Sequence, residues 1–254
     1  MTNETTAFCS GHANSCAMVA RLYELRSPPD RIVFCETGLE FYEVYDYLDN
    51  FEKKIGIEII REDVTKEKPQ YKFENWFMKP WCSGQHEGEI HGVPKQCGAC
   101  WHHRNVKDAI YQKYNKISAH SMIGYTRNEK ARIMMPPIGK PKNFYLYPLI
   151  EWGWSADNSI WYLKNRVGLP HPLYEDEIGF KRLGCSICPY QSGEALEILY
   201  YKYHEIWDYM LNLEDISKHS YFNNKSLRGN TFSTLHEMND FLDREKTKQT
   251  KLKL

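Results

Sequence analysis

Thr5-Thr6-Ala7-Phe8-Cys9-Ser10-Gly11-His12-Ala13-Asn14-Ser15 is a short apolar run that ends in small residues. It reads as a strand entering a tight turn at Ser10-Gly11, with Asn14 or Ser15 as the N-cap of a helix. Ala17, Met18, Ala20, Leu22 and Leu25 continue that helix until Pro28-Pro29-Asp30 breaks it. Arg31-Ile32-Val33-Phe34-Cys35 is then a continuous apolar run, the mark of a parallel strand covered on both faces. Glu36-Thr37-Gly38 is the next turn, and Phe41, Val44, Tyr45, Leu48, Phe51 and Ile55 fall at helical spacing before Gly56. Ile57-Glu58-Ile59-Ile60 reads as a third strand. This alternation of strands and helices predicts an α/β fold with a parallel sheet and flanking helices. Ligands in such sheets bind at the carboxyl ends of the strands, where Ser10–Ser15 and Glu36–Gly38 both fall.

Farther along, residues 62–100 are irregular and too long for a bare connector, which suggests an active-site flap or small insertion. Val106–Tyr114 reads as a short helix, Ile117–Tyr125 and Tyr145–Ile150 as strands, and Ser155 as the cap of a helix through Asn165. Ser192–Leu213 reads as one long helix. From Arg244 the chain is basic and reads as a solvated tail. The expected organisation is a nucleotide-binding domain over 1–190 that includes a cysteine site, a helical region over 191–243, and a tail over 244–254.

The 254 residues are 42% apolar and 26% charged, which excludes a disordered chain. Lys+Arg and Asp+Glu are 33 each, so the zero net charge speaks against a protein that coats nucleic acid and leaves such contact to the tail. There is no long apolar run to span a membrane, and the short polar N-terminus is not a signal peptide. The expected compartment is the cytoplasm. Disulfides are not the expected use of eight cysteines there.

Their spacing supplies another use. Cys97-Gly98-Ala99-Cys100 and Cys185-Ser186-Ile187-Cys188 are two C-x-x-C pairs, and each turn lets both sulfurs face one centre. Four thiolates suit zinc or an iron–sulfur cluster, and spacing alone does not separate the two. Cys16 and Cys35 lie in apolar runs and are expected to be buried, with packing roles for Cys9 and Cys82. Between the first strand and helix, Ser10, Gly11, His12, Ala13, Asn14 and Ser15 form a small-residue turn. Its backbone N–H groups, the helix N-terminus and two serine hydroxyls make a phosphate site, with Gly11 allowing close backbone approach. Arg127 and Arg132 are candidate phosphate ligands; Lys107, Lys181 and Arg182 are candidate anion ligands.

These residues resemble a known family. Phe8-Cys9-Ser10-Gly11-His12-Ala13-Asn14-Ser15 is similar to the Ser-Gly-Gly-x-Asp-Ser loop of the adenine-nucleotide α-hydrolase-like (PP-loop) superfamily. Val33-Phe34-Cys35-Glu36-Thr37-Gly38-Leu39-Glu40 resembles a segment of the phosphoadenosine phosphosulfate (PAPS) reductase family. Cys100 with Arg104 and Lys107, Ile123-Gly124-Tyr125-Thr126-Arg127-Asn128-Glu129 with Arg132, and Gly179 to Cys185 follow in that family's order. The type resembled is the PAPS reductase-like one of phages and mobile elements.

The resemblance implies a Rossmann-like sheet and an adenine nucleotide, ATP or a sulfonucleotide, held by Ser10–Ser15, Glu36, Thr37, Gly38, Gly124, Arg127 and Arg132. It also implies a 4Fe–4S cluster on Cys97, Cys100, Cys185 and Cys188, with zinc as the alternative. His12 stands where ATP-cleaving members have glycine, and Asn14 where they have aspartate, which weakens any Mg²⁺ site. With no cysteine after Cys188, a thioredoxin-coupled sulfonucleotide reductase is not expected. The expected function is adenylation or sulfur transfer with an unassigned sulfur donor or acceptor. The rival readings are a non-catalytic nucleotide-binding protein with structural zinc, and a subunit of a nucleic-acid modification system.

Overall fold

The computed structural model describes residues 4–84, 87–92, 100, 103–133, 144–222 and 224–251. The chain divides into two compact units, each made of two segments: Met1–Tyr71 with His102–Glu175, and Lys72–Trp101 with Asp176–Leu254.

In chain order the elements begin with β1 (Thr5–Phe8), α1 (Ala13–Glu24), β2 (Arg31–Cys35), α2 (Tyr42–Ile55), β3 (Ile60–Glu62) and α3 (Phe73–Phe77). Next come α4 (Asp108–Asn115), β4 (His120–Ile123), α5 (Lys130–Ile133), β5 (Tyr145–Leu146), α6 (Pro148–Glu151) and α7 (Ala156–Tyr162). The last are α8 (Gly193–Lys202), α9 (His204–Ser217), β6 (Lys225–Leu227), β7 (Asn230–Phe232) and α10 (Leu235–Lys251).

The first unit is built on a parallel sheet of order β3-β2-β1-β4-β5. Ile32, Val33, Phe34 and Cys35 are all buried, as a strand covered on both faces requires. Gly56 closes α2 in the left-handed region, at φ 73°. The third strand begins at Ile60, where the sequence suggested Ile57. Ile57 N–H bonds back to the Glu52 carbonyl, and Ile59 N–H donates to Glu52 Oε1 at 2.6 Å, so this stretch is tied to the end of the helix instead of pairing in the sheet. The strand expected over Tyr145–Ile150 stops at Leu146, because Pro148 takes the first position of α6. Ser155 caps α7 as expected, in a reciprocal pair with Asn158.

In the second unit, the helix expected over Ser192–Leu213 is two helices. Tyr203, at φ −130° and ψ 59°, separates α8 from α9. A hairpin of β6 and β7, which the sequence reading did not anticipate, precedes α10. The basic tail is helical through Lys251: Lys248 pairs with Glu245, and Arg244 and Thr247 bond one turn back to the Asp240 and Asp243 carbonyls. Glu214, buried on α9, accepts from the N–H groups of Tyr221, Leu235 and His236. Its carboxylate therefore caps α10 from another helix. Among the described residues, no helix is long and apolar enough to cross a membrane.

Gly193 opens α8 directly beneath β6. A Cβ there would lie 2.1 Å from the Ser226 carbonyl oxygen. Gly193→Ala should therefore cost about 2 kcal/mol and lower the melting temperature by several degrees in a thermal scan. An unchanged melting temperature would contradict this packing.

Candidate functional site

The loop after β1 leaves the central strand where the strand order reverses, between β1 and β4. His12, not Asn14 or Ser15, is the N-cap of α1, and its side chain makes no capping bond. The helix's first amides thus lack a side-chain cap, the arrangement that receives an anion. Ser15 is already inside the helix and organises the loop. Its hydroxyl accepts from Ser10 N–H at 3.0 Å, lies 3.0 Å from Ser10 Oγ, and donates to the His12 carbonyl at 3.0 Å.

Gly11 has φ +74°, and its carbonyl accepts from His171 Nε2 at 2.9 Å. A Cβ there would lie 2.5 Å from Val44 Cγ1. The glycine is thus demanded by backbone hand and by contact with α2, where the sequence suggested close approach of a phosphate. Gly124, at the end of β4, has a similar role: a Cβ would lie 2.9 Å from Ser15 Cα, so this glycine lets β4 pack on the start of α1.

The His12 ring turns inward, with Nε2 3.6 Å from Glu40 Oε2. Glu40 is buried; Thr37 Oγ1 donates to it at 3.0 Å, and Lys107 Nζ lies 3.7 Å away. Burial pushes the carboxyl upward, but Lys107, His12 and Thr37 outweigh it and hold Glu40 down at about 2. Lys107, expected to meet an anion, thus faces this internal carboxylate. Glu36 Oε1 accepts from Gly38 N–H at 2.8 Å and from the Tyr45 hydroxyl at 2.6 Å, so this oxygen holds the turn after β2. Gly38 is left-handed there, at φ +71°.

Thr126 and Glu129 form a capping box after β4, leaving the Arg127 side chain exposed. Arg132 pairs with Glu129 at 2.6 Å and lies 4.3 Å over the Tyr125 ring, which stacks on Tyr147. Both arginines are exposed, and Arg132 is the one tied to Glu129 and to the Tyr125 ring.

His171 escaped the sequence reading. Its Nδ1 accepts from Leu173 N–H, so Nε2 carries the hydrogen donated to Gly11. The ring lies 4.2 Å from that of Tyr47, and burial pushes its pKa down to about 3. A signal was present: the histidine is clasped between Pro170 and Pro172.

Beneath the loop, Cys9 and Cys16 are both buried with sulfurs 3.6 Å apart. Cys35 is also buried, and burial pushes its thiol up to about 12. Cys82 is exposed, against the expected packing role, because it follows an isolated bridge at the surface.

In the second unit, Cys188 N–H closes the turn on the Cys185 carbonyl at 3.0 Å. Gln191 Nε2 donates to the Cys185 and Ser186 carbonyls, Gln191 N–H to that of Cys188, and the Tyr221 hydroxyl to that of Ile187. All four carbonyls of the turn are held by the protein. Tyr221 is buried, and its pKa is raised by burial and then by Cys188, Tyr209, Cys185 and Cys100. Three of the four expected ligands therefore lie within electrostatic reach of one hydroxyl. Their donor chemistry suits a soft metal centre, although the described residues contain no group of three His, Cys, Asp or Glu side chains gathered closely enough to hold a metal. Cys97 lies outside the described residues. Lys181 and Arg182 are exposed ahead of the turn.

Residues 4–191 match the phosphoadenosine phosphosulfate reductase domain. The chain belongs to this family. An uncharacterised protein of Methanocaldococcus jannaschii is 24% identical over 226 residues, covering 84% of this chain and 42% of that protein. Thus the chain spans less than half the length of that relative. The adenosine 5'-phosphosulfate reductase of Staphylococcus haemolyticus is 24% identical over 187 residues, covering 71% of this chain and 68% of the reductase. Among solved structures, the PAPS reductase of Candida auris in a phosphate complex aligns with TM-score 0.48 and 13% identity, over 73% of this chain and 82% of that one. The U34-tRNA thiolase NcsA of Methanococcus maripaludis, solved with its 4Fe–4S cluster, aligns with TM-score 0.43 and 18% identity, over 86% and 74%.

The buried groups set a pH dependence. Burial holds the His171 pKa at about 3 in the folded protein, below the 6.5 of a free imidazole side chain. The unfolded chain thus binds a proton in this interval that the folded chain does not, and stability falls as pH drops from 6.5 toward 3. Glu40 and Glu24, both held near 2, add losses in the same direction below 4.5. Melting temperature should fall on acidification, and His171→Gln should flatten the limb between pH 6.5 and 4.5. An equal slope in the variant would contradict the neutral His171–Gly11 bond.

Proposed function

We propose that this chain is an adenine-nucleotide-binding enzyme of the adenylation or sulfur-transfer kind. The observation that carries the reading is the loop's position: Ser10–Ser15 leaves the central strand at the reversal of strand order and opens onto the uncapped start of α1. The loop amides and the Ser10 and Ser15 hydroxyls would hold the nucleotide phosphates. Thr37 and Gly38 would shape the neighbouring wall, and Arg127 would supply a positive charge.

In the ATP form of the reaction, a substrate oxygen attacks the α-phosphorus and the bond to pyrophosphate breaks. Pyrophosphate leaves onto the loop, where fixed dipoles stabilise its charge. A sulfur species then displaces AMP. Cys97, Cys100, Cys185 and Cys188 would hold a 4Fe–4S cluster, or zinc, and such a cluster supplies a place to bind or pass sulfur. The family match and the C-x-x-C turn, with its carbonyls held by Gln191 and Tyr221, support this part.

Titration calorimetry with ATP and with a sulfonucleotide tests the loop; binding of neither to the wild type overturns the reading. Asn14 is a poorer Mg²⁺ ligand than a carboxylate, so wild-type pyrophosphate release should be slow. His12→Gly with Asn14→Asp should raise it if ATP is the substrate. A double variant that binds ATP without faster release points to a sulfonucleotide or to binding alone.

For the cysteine site, Cys185→Ala should lose metal and melt earlier, since a lost ligand removes folding free energy. Full metal content by elemental analysis, with unchanged melting, would remove Cys185 from the ligand set.

A further inference from the structure

Cys9 and Cys16 stand at the two ends of the phosphate loop. Cys9 follows β1, its N–H bonded to the Val33 carbonyl at 2.9 Å, and Cys16 lies in the first turn of α1. Their sulfurs are 3.6 Å apart, so they must close by about 1.5 Å to reach bonding distance. We propose that Cys9 and Cys16 form a redox-sensitive dithiol whose oxidation to a disulfide locks the Ser10–Ser15 loop. The chemistry stands on the sulfur contact and does not require that the loop bind a nucleotide.

The two thiols are unequal. The Cys16 sulfur lies against the Cys9 sulfur, and this contact, with the Gly11 N–H and Ser15 beside it, lowers the Cys9 pKa against its burial. Burial and the neighbouring Cys9 raise that of Cys16. Cys9 is thus the nucleophile and Cys16 the resolving thiol. The residues are only 1% and 0% exposed, which selects a small oxidant such as a hydroperoxide. The Cys9 thiolate attacks a peroxide oxygen, the O–O bond breaks, and water leaves after protonation. Cys16 then gives up its proton and attacks the sulfenic sulfur of Cys9, and the S–O bond breaks to release a second water. Two thiols lose two electrons in total, and one hydrogen peroxide becomes two waters.

A disulfide between residues 9 and 16 makes local opening of the loop costlier, because it restricts the opened chain. The test treats the full-length protein with hydrogen peroxide under native conditions, then alkylates the remaining thiols after denaturation. The tryptic peptide that ends at Arg21 carries both cysteines. We expect that peptide to escape alkylation and to lose two hydrogens in mass. Amide exchange across residues 10–16 should slow by roughly tenfold, and dithiothreitol should reverse both changes. Cys16→Ala, a small substitution at a buried helical site, should show neither change. The proposal is overturned if both sulfurs are alkylated after a peroxide dose that fully oxidises exposed Cys82. It is also overturned if the disulfide forms and loop exchange does not change.

Discussion

The backbone at Gly11 turns left-handed where the central strand gives way to the first helix, and it does so with no space for a side chain. Val44 and Leu48 of α2 lie against it, and His171 holds its carbonyl from far along the chain. This constraint sets the path of the next four residues, and so the direction in which the first amides of α1 point. Other parts of the first unit are arranged to respect it. Gly124 stays bare so that β4 reaches the backbone of Ser15, and α2 ends sharply at Gly56, with Ile59 tied to Glu52 before β3 begins. The site is thus set by backbone hand and close packing before any charged residue acts.

Charge is then placed around that frame. Glu40 is buried yet ionised, because Lys107, His12 and Thr37 face it together. An unpaired carboxylate there would take up a proton or destabilise the fold. One consequence is that His12, at a position where the resembled loop has glycine, is directed into the protein and away from the loop's open side. The second unit uses a carboxylate differently: Glu214 receives backbone N–H groups and fixes where α10 starts.

Much of this was legible in the chain. The run Arg31–Cys35 and the helical spacing up to Gly56 describe β2 and α2 closely, because continuous burial and amphipathic periodicity are local signals. The loop and its two serines were visible for the same reason. What was hidden depended on distant partners. The break at Tyr203 carries no Gly or Pro, and the apolar face runs through it. The Glu40 pairing, the His171 bond and the contact between Cys9 and Cys16 arise only once separate elements meet. Ser15 suggests an N-cap because it is a good capping residue by type, yet here its hydroxyl ties the loop together from inside the helix.

The division of the chain bears on how it is made. Each unit takes one segment from either side of a crossing, and the first is complete once residue 175 has been synthesised. The segment Lys72–Trp101 emerges earlier but belongs with Asp176–Leu254. At ribosomal speeds of roughly 5–20 residues per second, it waits on the order of ten seconds for its partners. During that interval Phe73 and Phe77, both buried in the finished unit, wait for the rest of that unit to be made. The second unit can therefore finish folding only after synthesis has passed well beyond the first.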